Sequence, residues 1–174
     1  IDFKNLFTTW FNRGFLVLRP INWGSPAHIL EKIINYESVH AIQSWDDLRR
    51  RLQPDDRRCF AFFHPAMPGE PLIFVEVALT RGTPNSIQTI LSETHRSLAA
   101  ADADTATFYS ISNCQEGLAG ISFGNSLIKT VVQHLLRDLP QIRTFVTLSP
   151  IPGFVRWLHE TNQFDESPNP QTLL

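Results

Sequence analysis

The sequence is poor in cysteine, nearly neutral, and without a long apolar run. Its 174 residues include only Cys59 and Cys114, too few and too far apart for a disulfide framework or a metal site. We therefore expect a reducing, intracellular compartment and no bound metal. A net charge of -2 supplies no basic face, which argues against duplex nucleic acid as a partner. No uninterrupted apolar stretch of ~18 residues exists, so no membrane-spanning helix is predicted.

What the sequence does contain is typical of one globular domain. Apolar residues make up 43% and charged residues 18% of the chain, and ~150 residues is an ordinary domain length. The chain starts at Ile1 rather than Met and shows no signal-peptide pattern. We expect a single domain over 1–174 that is a piece of a longer protein.

The front half predicts helices with clear start signals. Besides a short helix at 3–11, one helix opens with Ser25 as N-cap and Pro26 as its first residue. A second helix starts at Ser44, with acidic residues in its first turn and the arginine run 49–51 in its last, which suits the helix dipole. Such a run is usually a solvated helix end.

Alternating and β-branched segments predict five strands. They cover 14–21, 57–64, 72–80, 106–112 and 143–148. The second and third form an antiparallel hairpin with a long turn rich in proline and glycine. The last two each precede a helix, one ending near 138 and one at about 153–162. The first of these helices has an apolar stripe of Leu127, Ile128, Val131, Val132, Leu135 and Leu136. The simplest packing is an α/β (α+β) fold, a mixed sheet flanked by helices.

The glycine-bearing segment 115–125 lies between a predicted strand and a helix. Free N–H groups and a partial positive charge at a helix N-terminus favour phosphate, and glycine lets an anion approach the backbone. Gly120 and Gly124 are one turn apart, but their spacing is neither the dinucleotide fingerprint nor a Walker loop. A tight turn with close helix–sheet packing explains the glycines equally well.

Ser149 lies at the carboxyl end of its predicted strand, where open sheets place their ligands. The alternative is that Ser149 caps the next helix, with Pro150 as the first helical residue. Pro152 weakens that alternative because it has no N–H to donate to a capping hydroxyl. No glycine lies two residues before Ser149, so it is not a nucleophile elbow.

The histidines carry no metal spacing. They are His28, His40, His64, His95, His134 and His159. His64, at a strand end, is the most notable, although a structural role fits it better than a catalytic one.

Three segments together resemble the malonyl-CoA decarboxylase family. They are Phe-Tyr-Ser-Ile-Ser at 108–112, Gly-Leu-x-Gly-x-x-x-Gly-x-x-Leu-Ile-Lys at 117–129, and Leu-Ser-Pro-Ile-Pro-Gly-Phe-x-x-Trp-Leu at 148–158. The front half agrees, for example in Pro-Gly-Glu-Pro-Leu at 68–72. The resemblance extends from about residue 7 to 158.

The resemblance implies a fold similar to GNAT-type acetyltransferases. In that fold the CoA pantetheine arm lies between two splayed strands, here 106–112 and 143–148. The implied catalytic residue is Ser149, with Ser110 as a polar position near the same strand ends. The implied CoA-binding loop comprises Ala119, Gly120, Ile121, Ser122, Phe123, Gly124 and Asn125.

The implied reaction converts malonyl-CoA to acetyl-CoA and CO2 without metal or organic cofactor. The family protonates the carbanion with a histidine in an Asn-Pro…Phe-His segment, which nothing after Asn162 matches. We therefore expect a catalytic-domain fragment that lacks this histidine and the family's N-terminal helical region. The full-length enzyme is expected to form a homo-oligomer, in the bacterial cytoplasm or in eukaryotic mitochondria, peroxisomes or cytosol.

Two other functions fit the same residues. One is an acyl-CoA acyltransferase on the same fold, which needs an acceptor and a base. The other is a non-catalytic acyl-CoA-binding module. Product analysis separates the first from a decarboxylase, and CoA affinity without turnover identifies the second.

Overall fold

The computed structural model describes Leu6 and residues 13–118, 124–151 and 153–162. The strands are β1 (Val17–Ile21), β2 (Arg57–His64), β3 (Met67–Thr80), β4 (Thr105–Asn113) and β5 (Thr144–Thr147). The helices of these residues are α1 (Ala27–Tyr36), α2 (Trp45–Leu52), α3 (Ile87–Leu91), α4 (Gly124–Asp138) and α5 (Phe154–Asn162). The helix predicted at 3–11 lies outside the described residues, apart from Leu6. None of the described helices has the length and apolar character to cross a membrane.

The five strands form one mixed sheet in the order β1-β2-β3-β4-β5. Neighbouring strands are antiparallel except β4 and β5, which run parallel. A parallel pair needs a crossover connection, and α4 supplies it. The predicted mixed sheet flanked by helices is confirmed.

Helices cover both faces of the sheet. On one face, α4 packs Leu127, Val131 and Leu135 onto an apolar layer from β3 and β4. On the other face, α1 and α2 bury Ile33 and Leu48 against the sheet. Leu136, predicted in the stripe of α4, is 45% exposed because it points away from that layer.

Of the two predicted helix starts, one is confirmed and the other is wrong. Ser44 caps α2 as predicted, and its hydroxyl accepts from the Asp47 N–H at 3.1 Å. Ser25 as an N-cap is wrong, because its hydroxyl accepts from the Asn22 N–H at 3.0 Å in the preceding turn. The N-cap position of α1 is Pro26, whose carbonyl accepts from the N–H groups of the first turn.

The long loop predicted between β2 and β3 is also wrong. β3 begins at Met67, so only Pro65 and Ala66 separate the strands. The prolines of this segment are accommodated because the register shifts on either side of Phe63. The His64 Nδ1 accepts from the Ala66 N–H at 3.1 Å across the turn, which is a structural role. Similarly, β1 starts only at Val17, since residues 13–15 form a 3-10 turn.

Candidate functional site

The two parallel strands separate before β4 ends. They pair from Thr105 with Thr144 to Phe108 with Thr147, and the Leu148 N–H donates to the Phe108 carbonyl at 2.9 Å. β4 then continues to Asn113 without a pairing toward β5. Residues 109–113 therefore have no strand partner on the side of β5, and this unpaired side of β4 is called the gap below.

A β-bulge lies where this gap begins. Glu76 pairs with Ser110 and Val77 with Phe108, so Tyr109 is an extra residue in β4. A bulge bends its strand and increases the local twist. The bend in β4 thus coincides with the last pairing to β5, which accounts for the separation of the strands.

The N-terminus of α4 lies beside the gap, on the apolar face of the sheet. A Cβ on Gly124 would meet Ile111 Cγ2 at 3.9 Å, an ordinary contact, so packing against β4 does not require a glycine there. This removes the close-packing explanation for Gly124. Asn125 is exposed. The other residues of the predicted CoA-binding loop, Ala119, Gly120, Ile121, Ser122 and Phe123, lie outside the described residues.

Ser149 is exposed, and its hydroxyl makes no hydrogen bond to a described residue. It does not cap a helix, because α5 begins only at Phe154. The intervening turn closes with the Phe154 N–H donating to the Ile151 carbonyl at 3.2 Å. Gly153 adopts φ +77° there, a conformation that favours glycine. The turn leaves the Ser149 hydroxyl available to a ligand.

Ser149 lines a cavity of about 230 Å³. The other lining residues are His40, Asn85, Ser86, Ile87, Gln88, Leu148 and Pro150. Leu148 packs against the cluster of Ala78, Ile90 and Tyr109, which lies on the sheet face opposite α4. The cavity and the α4 N-terminus are therefore on opposite faces of the sheet, on either side of the gap.

Ser110 is buried on the cavity side of the sheet. Its hydroxyl donates to the Glu37 carboxylate, with Oγ–O distances of 2.7 and 2.8 Å. Ser112 donates to the same carboxylate at 3.2 Å. The Ser110 hydroxyl is thus engaged by Glu37, and its predicted contact with substrate stays a prediction.

Glu37 and Arg51 together fix the loop that carries His40. Glu37 Oε1 accepts from the backbone N–H groups of Val39 at 2.9 Å and His40 at 2.8 Å. Arg51 donates to the carbonyls of His40 at 2.7 Å and Ala41 at 3.3 Å. The His40 backbone is therefore hydrogen-bonded on both sides of its Cα.

The solvated helix end predicted for 49–51 is wrong at Arg51. Arg51 is 4% exposed, and its guanidinium forms an ion pair with Asp47 at 3.1 Å and a hydrogen bond to Glu76 at 3.3 Å. The reason is geometric, because Arg51 lies on the same face of α2 as the buried Leu48. It therefore extends toward the sheet rather than into water.

The polar groups behind the cavity are strongly desolvated. Burial and the nearby Glu37 raise the pKa of Glu76 to about 8, despite the opposing effect of Arg51. Burial and Glu76 likewise raise the pKa of Tyr109 well above its usual value. Glu76 Oε1 and the Tyr109 hydroxyl have no hydrogen-bond partner among the described residues. These two groups are therefore shielded from water.

Two further histidines and both cysteines are engaged or buried. His95 contacts Asp56 at 2.6 Å, and His134 contacts Asp138 at 3.1 Å. Burial raises the pKa of both cysteines, that of Cys114 to about 12, so neither is an activated nucleophile. Over the part of the chain that the structure describes, no group of three His, Cys, Asp or Glu side chains could hold a metal ion.

Sequence reasoning missed Glu37 and His40 as parts of the site. Neither belongs to a motif. Both reach the site because α1 packs on the face of the sheet that carries the Ser110 and Ser112 side chains of β4. One signal was available in the sequence. Glu37 follows the apolar stripe of α1, and a carboxylate at a helix C-terminus opposes the helix dipole. Such a placement indicates compensating donors nearby.

Comparison with known proteins identifies the family. The family model for the malonyl-CoA decarboxylase C-terminal domain matches residues 14–172. The mitochondrial malonyl-CoA decarboxylase of Anser anser anser is 51% identical over 158 residues, covering 89% of this chain and 31% of that protein. The mitochondrial enzyme of Mus musculus is 45% identical over 161 residues, covering 89% and 32%. The chain thus spans about a third of the length of these relatives.

Comparison with solved structures gives the same family. The malonyl-CoA decarboxylase of Agrobacterium vitis superposes with a TM-score of 0.89 at 61% identity, covering 96% of this chain and 42% of that one. The Rhodopseudomonas palustris structure gives 0.85 at 61% identity, covering 96% and 41%. A ribosomal-protein-alanine N-acetyltransferase of Brucella melitensis gives 0.51 at 13% identity, covering 84% and 90%. This last similarity shows the fold alone and confirms the predicted GNAT-like architecture.

Proposed function

The chain belongs to the malonyl-CoA decarboxylase family, and we propose that it forms the thioester-binding part of an enzyme that converts malonyl-CoA to acetyl-CoA and CO2. The observation that carries this proposal is the gap between β4 and β5. The N-terminus of α4 lies on one face of the sheet beside this gap and the Ser149 cavity lies on the other, and we infer that a ligand passes between them there. A long, thin ligand with an anionic end and an acyl end fits such a passage.

The ligand is oriented by the chemistry of the two ends. The free N–H groups and partial positive charge at the N-terminus of α4 suit the CoA pyrophosphate, next to Gly124 and Asn125. The predicted loop at 119–123 precedes this helix and would contribute further donors. The pantetheine arm then crosses the sheet beside 109–113, where β4 has no pairing toward β5. The malonyl group then lies in the cavity that Ser149 lines.

The cavity suits decarboxylation for two physical reasons. First, the apolar part of the lining, Ile87 and Leu148, displaces some of the water around the malonyl carboxylate, which favours its loss as neutral CO2. Second, the unpartnered Ser149 hydroxyl can donate to an oxygen of the substrate. As the bond to the carboxyl carbon breaks, its electron pair moves onto the thioester oxygen. A proton then reaches the α-carbon and gives acetyl-CoA.

We expect the proton donor in a part of the full-length protein that this sequence does not include. The family resemblance implies a histidine in an Asn-Pro…Phe-His segment, which this sequence does not contain.

We propose CoA thioesters as the partners and a homo-oligomer of the full-length protein. We also propose an intracellular location, supported by mitochondrial and bacterial relatives.

Product analysis tests the proposal. The full-length protein is incubated with malonyl-CoA, and the products are measured by mass spectrometry. The expected products are acetyl-CoA and CO2 in equal amounts. An acylated amine or hydroxyl acceptor would instead indicate an acyltransferase, and calorimetric binding of CoA without turnover would indicate a binding module.

The Ser149→Ala variant tests the assigned residue. Loss of one hydrogen-bond donor to developing charge should lower kcat by about 10²–10³, with a much smaller change in malonyl-CoA affinity. Ser86→Ala is the matched control, because Ser86 lines the same cavity but its hydroxyl donates to Gln88 at 2.8 Å. Equal kcat values for Ser149→Ala and wild type would remove Ser149 from this role.

A further inference from the structure

We propose that His40 is a specificity-determining residue that binds the free carboxylate of the malonyl group. This inference rests on the proposed function, and it concerns a residue outside every motif of the sequence. It distinguishes the substrate from acetyl-CoA, the product, which has no such carboxylate.

His40 lies in the cavity that holds Ser149. The other lining groups are hydroxyl, amide or apolar, so His40 is the only ionisable side chain among the described residues that line it. A carboxylate that leaves water needs N–H donors or positive charge to replace its hydration. Imidazole provides the first in its neutral form and both when protonated.

The loop holds His40 in a fixed position. Its backbone N–H donates to Glu37 at 2.8 Å, and its carbonyl accepts from Arg51 at 2.7 Å. Its ring lies tilted at 35° to the Tyr109 ring, with 6.4 Å between the centroids. Glu37 is itself fixed by Ser110, at the point where β4 leaves β5. Such support reduces the conformational entropy lost when a ligand binds.

The Nε2 atom of His40 is buried and has no hydrogen-bond partner among the described residues. Buried polar atoms are seldom left without a partner in folded proteins. The Arg51 side chain, in contrast, is fully engaged by carbonyls and carboxylates and is not free to bind substrate. An oxygen of the malonyl carboxylate is the partner that the proposed function supplies for Nε2.

Carboxylate binding has a distinctive kinetic consequence. The negative charge leaves the carboxyl group as CO2 forms, so a hydrogen bond to this group is stronger in the bound substrate than in the transition state. Removal of the bond therefore raises KM, and kcat stays the same or rises. If His40 instead contacted the thioester oxygen, where negative charge accumulates in the transition state, its removal would lower kcat and leave KM unchanged.

Kinetics of the full-length His40→Gln and His40→Asn variants test the proposal. We expect KM for malonyl-CoA to rise about tenfold, the loss of one charge-assisted hydrogen bond, with kcat unchanged or raised by up to about tenfold. The inhibition constant of acetyl-CoA should stay unchanged. His28→Gln, on the exposed side of α1, is the matched control and should equal wild type in all three constants.

Three results would overturn the proposal. They are a fall in kcat at unchanged KM, an equal loss of affinity for malonyl-CoA and acetyl-CoA, and unchanged constants in both variants. Failure of the proposed function is seen separately, as a wild-type protein that does not decarboxylate malonyl-CoA. In that case, calorimetry with malonyl-CoA and acetyl-CoA on wild type and His40→Gln still decides the role of His40. Thermal unfolding of each variant identifies any that do not fold.

Discussion

The two faces of the sheet are buried to similar degrees but by different chemistry. The face under α4 is an apolar layer in which Val75, Val77 and Phe108 meet Leu127. The face under α1 and α2 also buries polar and charged groups, among them Glu37, Arg51, Glu76, Ser110 and Ser112. Burial of charge is costly unless each charge is paired and hydrogen-bonded. The second face is therefore not explained by stability alone.

The difference between the faces separates support from function. The apolar face places the N-terminus of α4 beside the gap, and any well-packed layer of that shape would serve. The polar face fixes the loop of His40 through Glu37 and Arg51, which needs these particular side chains. Substitutions on the first face should thus affect stability, and those on the second should affect stability and substrate binding together.

The largest effect on stability is expected on the apolar face. Leu127→Ala should reduce the free energy of unfolding by about 2–5 kcal/mol, because it leaves a cavity in a fully buried layer. Leu136→Ala, on the same helix but 45% exposed, should change it by less than about 0.5 kcal/mol. Chemical denaturation measures both. Similar values for the two variants would contradict the assigned stripe of α4.

A smaller effect is expected from Glu37→Gln. The amide keeps the shape but cannot accept from Ser110, Ser112 and both backbone N–H groups, so unfolding should become easier by about 1–3 kcal/mol. KM for malonyl-CoA should rise as well, since His40 is no longer fixed. Glu31→Gln, exposed on the same helix, is the control. A loss of stability with unchanged KM would separate Glu37 from the site.

The smallest effect concerns pH. Because burial and Glu37 raise the pKa of Glu76 from 4.5 to about 8, the folded state holds a proton that the unfolded state releases. This contribution to stability is complete below pH 4.5 and is lost as pH rises toward 8. Between pH 6 and 7, wild type should lose up to about 1.4 kcal/mol relative to Glu76→Gln. Denaturation curves of both proteins at pH 6 and pH 7 measure this. An equal change in the free energy of unfolding for wild type and Glu76→Gln would contradict it.

The elements of the fold could be predicted because local patterns control them. Apolar spacing identified α4, and capping chemistry identified α2 through Ser44. Errors arose where a distant contact decided the outcome. The prolines beside Met67 indicated a loop, yet pairing with β2 accommodates them in a strand. The position of Arg51 at the end of α2 indicated exposure to solvent, but the sheet supplies Glu76 as its partner.

The site could be predicted only in part for the same reason. Ser149 lies in a recognisable segment next to its strand, so local sequence indicated it. His40 reaches the same cavity from a loop more than a hundred positions earlier in the chain. No spacing rule connects two such residues, and only the crossing of α1 over the sheet brings them together.

A crystal structure of the full-length Ser149→Ala variant with malonyl-CoA bound shows directly where the substrate crosses the sheet. We expect the pantetheine arm to pass between 109–113 and the chain after Leu148, with the malonyl group in the cavity beside His40. A thioester that stays on the α4 face, or a malonyl group outside this cavity, would contradict it.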